Sequence, residues 1–254
     1  MTFDFTAKNV LITGGSRGIG NVTAKLFAAS GANVIITYKS NKAAAEQALA
    51  QFAPGNHCIY QLDVADPEAI QNFFTQFSKR YDKLDVLVNN AGIFIEHKIL
   101  ETGYENWQQS WNETLQANLT GPANLCYFAS RLMMKQKAGK IINISSRGAF
   151  RGEPDHPAYG ASKAGLNAMS QSLAIALAPH NISVHIIAPG YVETEMAEEV
   201  LSSPEGESIK NQSPFKRVAK PEEVARLVAI FASEGLEFTS AGIIDINGAS
   251  YLRS

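Results

Sequence analysis

Seven short runs rich in β-branched residues, at 9–13, 33–38, 57–62, 84–88, 140–145, 182–187 and 242–246, recur along the chain with mostly helix-length segments between them. Runs of this kind, apolar at successive rather than alternate positions, belong to strands buried on both faces. Strands joined through helices return in the same direction, so the pattern predicts a parallel sheet of seven strands covered on both sides. The fold class that follows is α/β, a doubly wound three-layer sandwich. With 254 residues, 45% of them apolar, the chain can bury roughly 70% of its unfolded surface without metal or disulfide staples, and one domain over 1–254 is expected.

The connecting segments carry their own signals. A first helix is expected from 18 to about 30, with Ile19, Val22, Leu26 and Phe27 facing the sheet and Gly31 stopping it. Asp66 followed by Pro67 makes an N-cap and first turn for a helix that turns Ile70, Phe73, Phe74 and Phe77 inward, and Pro221 with Glu222 and Glu223 opens another. Two stretches break the rhythm: 93–117, with Trp107 and Trp111, and 190–220, rich in Glu, Ser, Pro and Gly. Both follow strands, where an open α/β sheet holds its ligand, so they are candidate walls, and the part at about 190–215 is a candidate substrate lid.

Charge and composition exclude several classes. Lys and Arg number 22 against 24 Asp and Glu, a net charge of −2, which gives no basic field for a nucleic-acid backbone. Cys58 and Cys126 stand alone in apolar surroundings, which reads as two buried thiols. None of His57, His97, His156, His180 and His185 has metal-ligand spacing to another, so no metal is expected. No run approaches 18 apolar residues and the first residues lack the build of a signal peptide, so no membrane association and a cytoplasmic location are expected.

The segment Thr13-Gly14-Gly15-Ser16-Arg17-Gly18-Ile19-Gly20 directly follows the first strand and opens the first helix. Its glycines allow a tight turn and close backbone approach, and the helix end favours an anion, so a pyrophosphate fits there. No Gly-Lys-Ser or Gly-Lys-Thr follows, which removes the phosphate lysine and magnesium hydroxyl of a nucleoside triphosphatase. The second strand ends Tyr38-Lys39-Ser40, where an NAD site often places a carboxylate on the ribose. Lys39, with Arg17 across from it, can instead meet a 2′-phosphate, which implies NADP(H). Asp63 can accept from the adenine amine while Val64 packs on the ring; Asp63 as a plain helix cap would look much the same.

Tyr159 and Lys163 lie four apart on an expected helix and share a face. A phenol with an ordinary pKa near 10 needs a positive neighbour to exchange protons near neutrality, and Lys163 is one. Ser146, 13 residues upstream at the end of the fifth strand, can hold the same substrate oxygen.

The series TGGSRGIG at 13–20, NNAG at 89–92, NISS at 143–146, YGASK at 159–163 and PGYVETEM at 189–196 resembles the short-chain dehydrogenase/reductase family in residue type and order, over roughly 8–248. The resemblance implies a Rossmann-type fold and a catalytic tetrad of Asn118, Ser146, Tyr159 and Lys163. In it Tyr159 is the general acid or base and Ser146 steadies the carbonyl oxygen. Lys163 binds ribose hydroxyls and lowers the Tyr159 pKa, and Asn118 positions a water. It implies further that Asn90, Ala91 and Gly92 border the adenosine and ribose, and that Pro189, Gly190, Val192 and Thr194 meet the carboxamide and pyrophosphate end. A nucleotide-binding scaffold that had lost turnover would show a broken tetrad, and all four groups are present.

Within the family the chain resembles the 3-oxoacyl-[acyl-carrier-protein] reductases and the ketoreductases and sugar or polyol dehydrogenases around them. A ketone reduced to a secondary alcohol, or the reverse, is the reaction implied. Carrier-protein partners imply basic residues near the entrance; Lys137 matches one such position and His180 occupies the second. The lid carries Glu193, Glu195, Glu198, Glu199, Glu205 and Glu207, which would slow docking of an acidic carrier, so a small ketone, sugar or hydroxy compound stands beside the carrier-bound thioester. Glu153 and His156 fall where the family borders its substrate cavity, and Ala149, Phe150, Tyr191, Met196 and Val200 are candidate lining. The resemblance implies that long helices at 115–137 and 157–178 build a dimer interface, within a homotetramer.

Overall fold

The computed structural model describes residues 2–253. Seven strands, β1 (Asn9–Ile12), β2 (Asn33–Tyr38), β3 (Cys58–Gln61), β4 (Val86–Asn89), β5 (Gly139–Ile144), β6 (Ile182–Pro189) and β7 (Ile243–Ile246), form one sheet in the order β3-β2-β1-β4-β5-β6-β7. Every pairing is parallel, as the apolar runs predict. Neighbouring residues point to opposite faces. Val10, Ile12, Val34, Ile36, Ile142 and Ile144 fill one apolar cluster, and Leu11, Ile35, Leu87 and Ile141 fill the other.

Helices α1 (Gly18–Ala29) and α10 (Pro221–Ala232) cover the first face; α3 (Pro67–Arg80), α5 (Gly121–Gln136) and α7 (Pro157–Leu177) cover the second. Asp66 caps α3 by accepting from the N–H groups of Glu68 and Ala69 at 2.9 and 3.0 Å, and Ile70, Phe73, Phe74 and Phe77 are buried as expected. The inward face of α1 differs from expectation. Gly20, Thr23, Ala24, Phe27 and Ala28 are buried, Ile19 and Leu26 lie at the cluster margin, and Val22 lines the functional cavity. Small residues at 20, 24 and 28 let the helix lie close to its neighbours, which pushes the bulkier side chains to its edges.

Helix α2 (Lys42–Leu49) follows β2. The stretch expected as an open wall at 93–117 is irregular only at first. Helix α4 (Tyr104–Leu115) then runs through a π-helical turn, Gln116–Thr120, into α5, so the helix expected from 115 begins eleven residues earlier. After β5 comes the single turn α6 (Gly148–Arg151); the stretch 190–220 holds α8 (Glu195–Ser202) and α9 (Glu205–Asn211). Among the described residues no helix is long and apolar enough to cross a membrane, no His, Cys, Asp or Glu cluster could hold a metal ion, and Cys58 and Cys126 are buried free thiols.

Winding reverses between β1 and β4: β2 and β3 lie to one side, β5 to β7 to the other. Loops leaving the carboxyl ends of β1 and β4 therefore diverge and open a crevice, the place where sheets of this kind take a ligand.

Candidate active site

The crevice is a cavity of about 1280 Å³ that runs across the carboxyl edge of the sheet from Lys39 to Tyr159. Its floor is the turn after β1. Thr13 Oγ1 accepts from the N–H groups of Asn90 and Ala91, both at 3.0 Å, and Asn90 Nδ2 donates to the carbonyls of Thr13 and Gly14 at 2.9 and 3.2 Å. The loops after β1 and β4 are thus locked together. Gly18 has φ 53°, a left-handed geometry that glycine adopts without strain. A Cβ on Gly20 would strike the Gly14 carbonyl oxygen. Arg17 gives α1 no side-chain cap and its first turn has no acidic residue, so the first N–H groups and the positive end of the helix face the cavity, a cradle that fits a pyrophosphate. Thr194 packs over this turn, its Cγ2 3.4 Å from where a Gly18 Cβ would stand.

At the adenosine end Lys39 Nζ lies 2.8 Å from Asp63 Oδ2, and Arg17 Nη1 lies 3.8 Å from Glu195 Oε2. Both cations expected to meet a 2′-phosphate thus have carboxylate neighbours, from β-strand ends and from α8. An ammonium has three donors, so the pair with Asp63 leaves Lys39 able to take a phosphate as well. Burial pushes the Asp63 carboxyl up, but hydrogen bonds from Lys39 and from Ala65 N–H outweigh it and hold the group below the ordinary range. Tyr38, Ser40 and Val64 line the same end.

The far end gathers Ser146, Tyr159 and Lys163 beside Gly92. Lys163 is buried; its Nζ donates to the Ile144 carbonyl at 2.9 Å and lies 5.7 Å from the Tyr159 ring centroid. Burial pulls the Lys163 ammonium down to about 8. Burial also pushes the Tyr159 phenol up, and a hydrogen bond with Ser146 works against that rise. Without a cofactor in the cavity, burial is the largest influence on the Tyr159 phenol. Ser146 Oγ accepts from Gly148 N–H at 3.0 Å. Phe94 stacks on His156 with centroids 3.6 Å apart and meets Tyr159 edge-on at 4.7 Å, so His156 reaches the site through Phe94.

Most sequence-predicted residues line this one cavity: Gly14, Ser16, Arg17, Gly18, Ile19, Tyr38, Lys39, Ser40, Asp63, Val64, Asn90, Ala91, Gly92, Ser146, Tyr159, Lys163, Pro189, Gly190, Val192 and Thr194, with Glu153, Tyr191, Met196 and Val200. Gly20 and Asn118 do not. Gly20 is buried behind the turn, and Asn118, in the π-helical turn, exchanges two hydrogen bonds with the Ile93 backbone, each 2.9 Å, and donates to Ser162 Oγ at 3.3 Å. Its amide fixes the loop after Gly92. Ala149 and Phe150 also lie off the lining, Phe150 under the C-terminal segment with Arg253 stacked on it.

Sequence reasoning missed Phe94, Arg147 and the Thr13 brace. A charged residue directly after Ser146, at the end of the NISS motif, was the available signal for Arg147; Phe94 and Thr13 gave none beyond adjacency to a motif. Lys137 and His180 do not border the entrance within one chain. Asn181 Nδ2 donates to the Lys137 carbonyl at 3.3 Å, which sets both residues at the amino ends of β5 and β6. Six residues of β5 separate that edge from Ser146, a span of roughly 20 Å.

What fold and cavity define together is a dinucleotide-dependent oxidoreductase: a nucleotide crevice whose far end brings a phenol, a hydroxyl and an ammonium to one spot. Comparison with known proteins makes that class particular. A family model described as Enoyl-(Acyl carrier protein) reductase matches residues 14–248, and the chain belongs to the short-chain dehydrogenase/reductase family. It is 36% identical to a 3-oxoacyl-[acyl-carrier-protein] reductase of Aquifex aeolicus over 254 residues, 99% of this chain and 100% of that one. The same-named protein of Escherichia coli is 34% identical, covering 98% and 99%. A crystal structure of a putative gluconate dehydrogenase from Agrobacterium tumefaciens superposes with a TM-score of 0.91 at 26% identity, covering 98% of both chains. The chain is thus an oxidoreductase of this family, with NADP(H) as its cofactor.

Proposed function

We propose that the protein reduces a ketone, a 3-oxoacyl thioester or a small carbonyl compound, to a secondary alcohol, with Ser146, Tyr159 and Lys163 as the reacting site. The observation that carries this is their convergence beside Gly92 at one end of a cavity whose other end is the α1 turn. NADPH, when bound, supplies the hydride that the carbonyl carbon takes up. The glycine turn and the first N–H groups of α1 hold its pyrophosphate, Lys39 its 2′-phosphate, and Lys163 its ribose hydroxyls. Ser146 donates to the carbonyl oxygen and fixes its position. Tyr159 gives its phenolic proton to that oxygen as negative charge builds there, and the Lys163 ammonium favours the tyrosinate that results. Asn118 keeps the loop after Gly92 in register with this group, and residues 190–215 form the lid.

A steady loss of NADPH with a panel of ketones and 3-oxoacyl thioesters, abolished in a folded Tyr159→Phe variant, is the expected result; equal rates in the variant would remove Tyr159 from the chemistry. Oxidation of a polyol or sugar acid is the second reading, favoured by the structural match to the putative gluconate dehydrogenase. Docking of an acyl carrier protein is disfavoured by the acidic lid and by the distance of Lys137 and His180 from Ser146. Homotetramer assembly is supported by Tyr127 on α5 and Ile175 on α7, both exposed. A cytoplasmic location is supported by the two free thiols.

A further inference from the structure

Arg147 follows Ser146, and its position is unusual for a guanidinium. The residue is 4% exposed. Its Nη1 donates to Ser250 Oγ at 2.6 Å, its backbone N–H to the Pro189 carbonyl at 2.7 Å, and its guanidinium carbon lies 5.5 Å from the Tyr191 ring centroid. It stands in the wall between the reacting cavity and a second cavity of about 840 Å³ beneath the C-terminal segment. Arginine does not shed its charge, and a buried charge is costly unless something pairs with it.

Among the described residues no carboxylate oxygen comes within 4.0 Å of it. The acidic side chains of the second cavity are engaged elsewhere: Asp245 pairs with Arg253 and Glu223 with Arg217. On the reacting side Glu153 is the one carboxylate whose field reaches Arg147. It stands beyond ion-pair distance, and burial favours its neutral form. Arg151, which donates to Gln212, adds a second positive charge, and Tyr191 is neutral. With Nη1 turned to Ser250, the Nε and Nη2 edge keeps the two parallel donors that match the two oxygens of a carboxylate.

We propose that Arg147 anchors a carboxylate on the substrate, so that the compound reduced beside Ser146 and Tyr159 is an oxo acid. This rests on the reading of Ser146 and Tyr159 as the reacting site, and it makes Arg147 a substrate-binding residue with no part in proton transfer. Arg147 lines the same cavity as Ser146 and Tyr159, so a carboxylate held there keeps the rest of the substrate within that cavity.

The test uses pyruvate, acetoacetate and levulinate, each beside its methyl ester, with NADPH and the full-length protein. The wild type is expected to favour one acid over its ester by about ten-fold or more in kcat/KM, the scale of one bidentate charged contact. Arg147→Gln should bring that ratio near one by raising KM for the acid far more than for the ester. Arg147→Lys should restore part of it, and Ser250→Ala, which only releases Nη1, should leave it high. An unchanged ratio in Arg147→Gln overturns the proposal, and so does a wild type that favours the esters. A change of oligomeric state in Arg147→Gln with the ratio unchanged would assign the charge to a second copy of the chain instead. Calorimetry on the wild type with NADP⁺ and 3-hydroxybutanoate or its methyl ester gives a readout that needs no variant: tighter binding of the acid supports the anchor, equal binding overturns it. If NADPH is consumed with no ketone, ester or thioester, the reading of the reacting site fails, and the calorimetric comparison still decides for or against Arg147.

Discussion

Lys39 and Lys163 are both cations of the cavity, yet they sit in opposite surroundings. Lys39 is exposed and shared with Asp63. Lys39→Asp would set a carboxylate opposite Asp63 and is expected to weaken NADPH by roughly 1.5–3 kcal/mol, the value of a hydrogen bond to a charged group, while leaving NADH nearly unchanged. Fluorescence titration with both cofactors checks this, and equal losses would take the 2′-phosphate contact away from Lys39. Lys163 is buried with its pKa drawn down to about 8 from 10.5. Below pH 8 the ammonium is charged in both folded and unfolded chains, and the folded state carries the full burial penalty. Between pH 8 and 10.5 the folded state loses its proton first, so the penalty lifts as pH rises. The difference in unfolding free energy between Lys163→Met and wild type should therefore shrink by about 3 kcal/mol over that window. Urea unfolding at several pH values measures it, and a difference that grows with pH would contradict the burial argument. The Lys39–Asp63 pair was not legible in the sequence, because the two residues leave different strands and only the sheet order makes them neighbours.

Among elements, the glycine turn and α1 are the least forgiving. Gly20→Ala places a methyl group against the Gly14 carbonyl oxygen, and backbone cannot yield as a flexible side chain does. The expected outcome is a loss of about 1–3 kcal/mol in stability, the range for overpacking, together with a much raised KM for NADPH. Thermal unfolding and cofactor titration read the two parts separately, and unchanged values in both would mean that the turn gives way freely. The seven strands were legible because strands covered on both faces must be apolar at every position. Helix α4 was not, since its buried residues are Ser110 and Thr114, small and polar. Trp107 and Trp111, which pack with each other and with His97, suggested a wall instead of a helix. For α1 the largest apolar residues predicted the wrong centre for the inward face; close approach selected Gly20, Ala24 and Ala28. Asn118 shows the same limit, because motif order marks it as functional, whereas its tie to Ile93 depends on a π-helical turn without a sequence signature.

For the whole molecule, fold class and the location of the crevice followed from the pattern of runs, while charges and partners across the cavity needed coordinates. Ile175 on α7 is 78% exposed and Tyr127 on α5 is 55% exposed, both on the helices proposed to form the subunit contact. If the proposed tetramer forms through this face, Ile175→Arg is expected to shift the protein to a smaller species in sedimentation velocity without changing its circular dichroism; an unchanged sedimentation coefficient would remove the support these residues give to the tetramer. Sheet order also has a consequence for biosynthesis. β1 lies between β2 and β4, and the Thr13 hydroxyl receives N–H groups from Asn90 and Ala91, some 77 residues downstream. A nascent chain that has left the ribosome only as far as β3 therefore holds a phosphate loop with nothing behind it, and dinucleotide can assist folding only after the fourth strand has emerged.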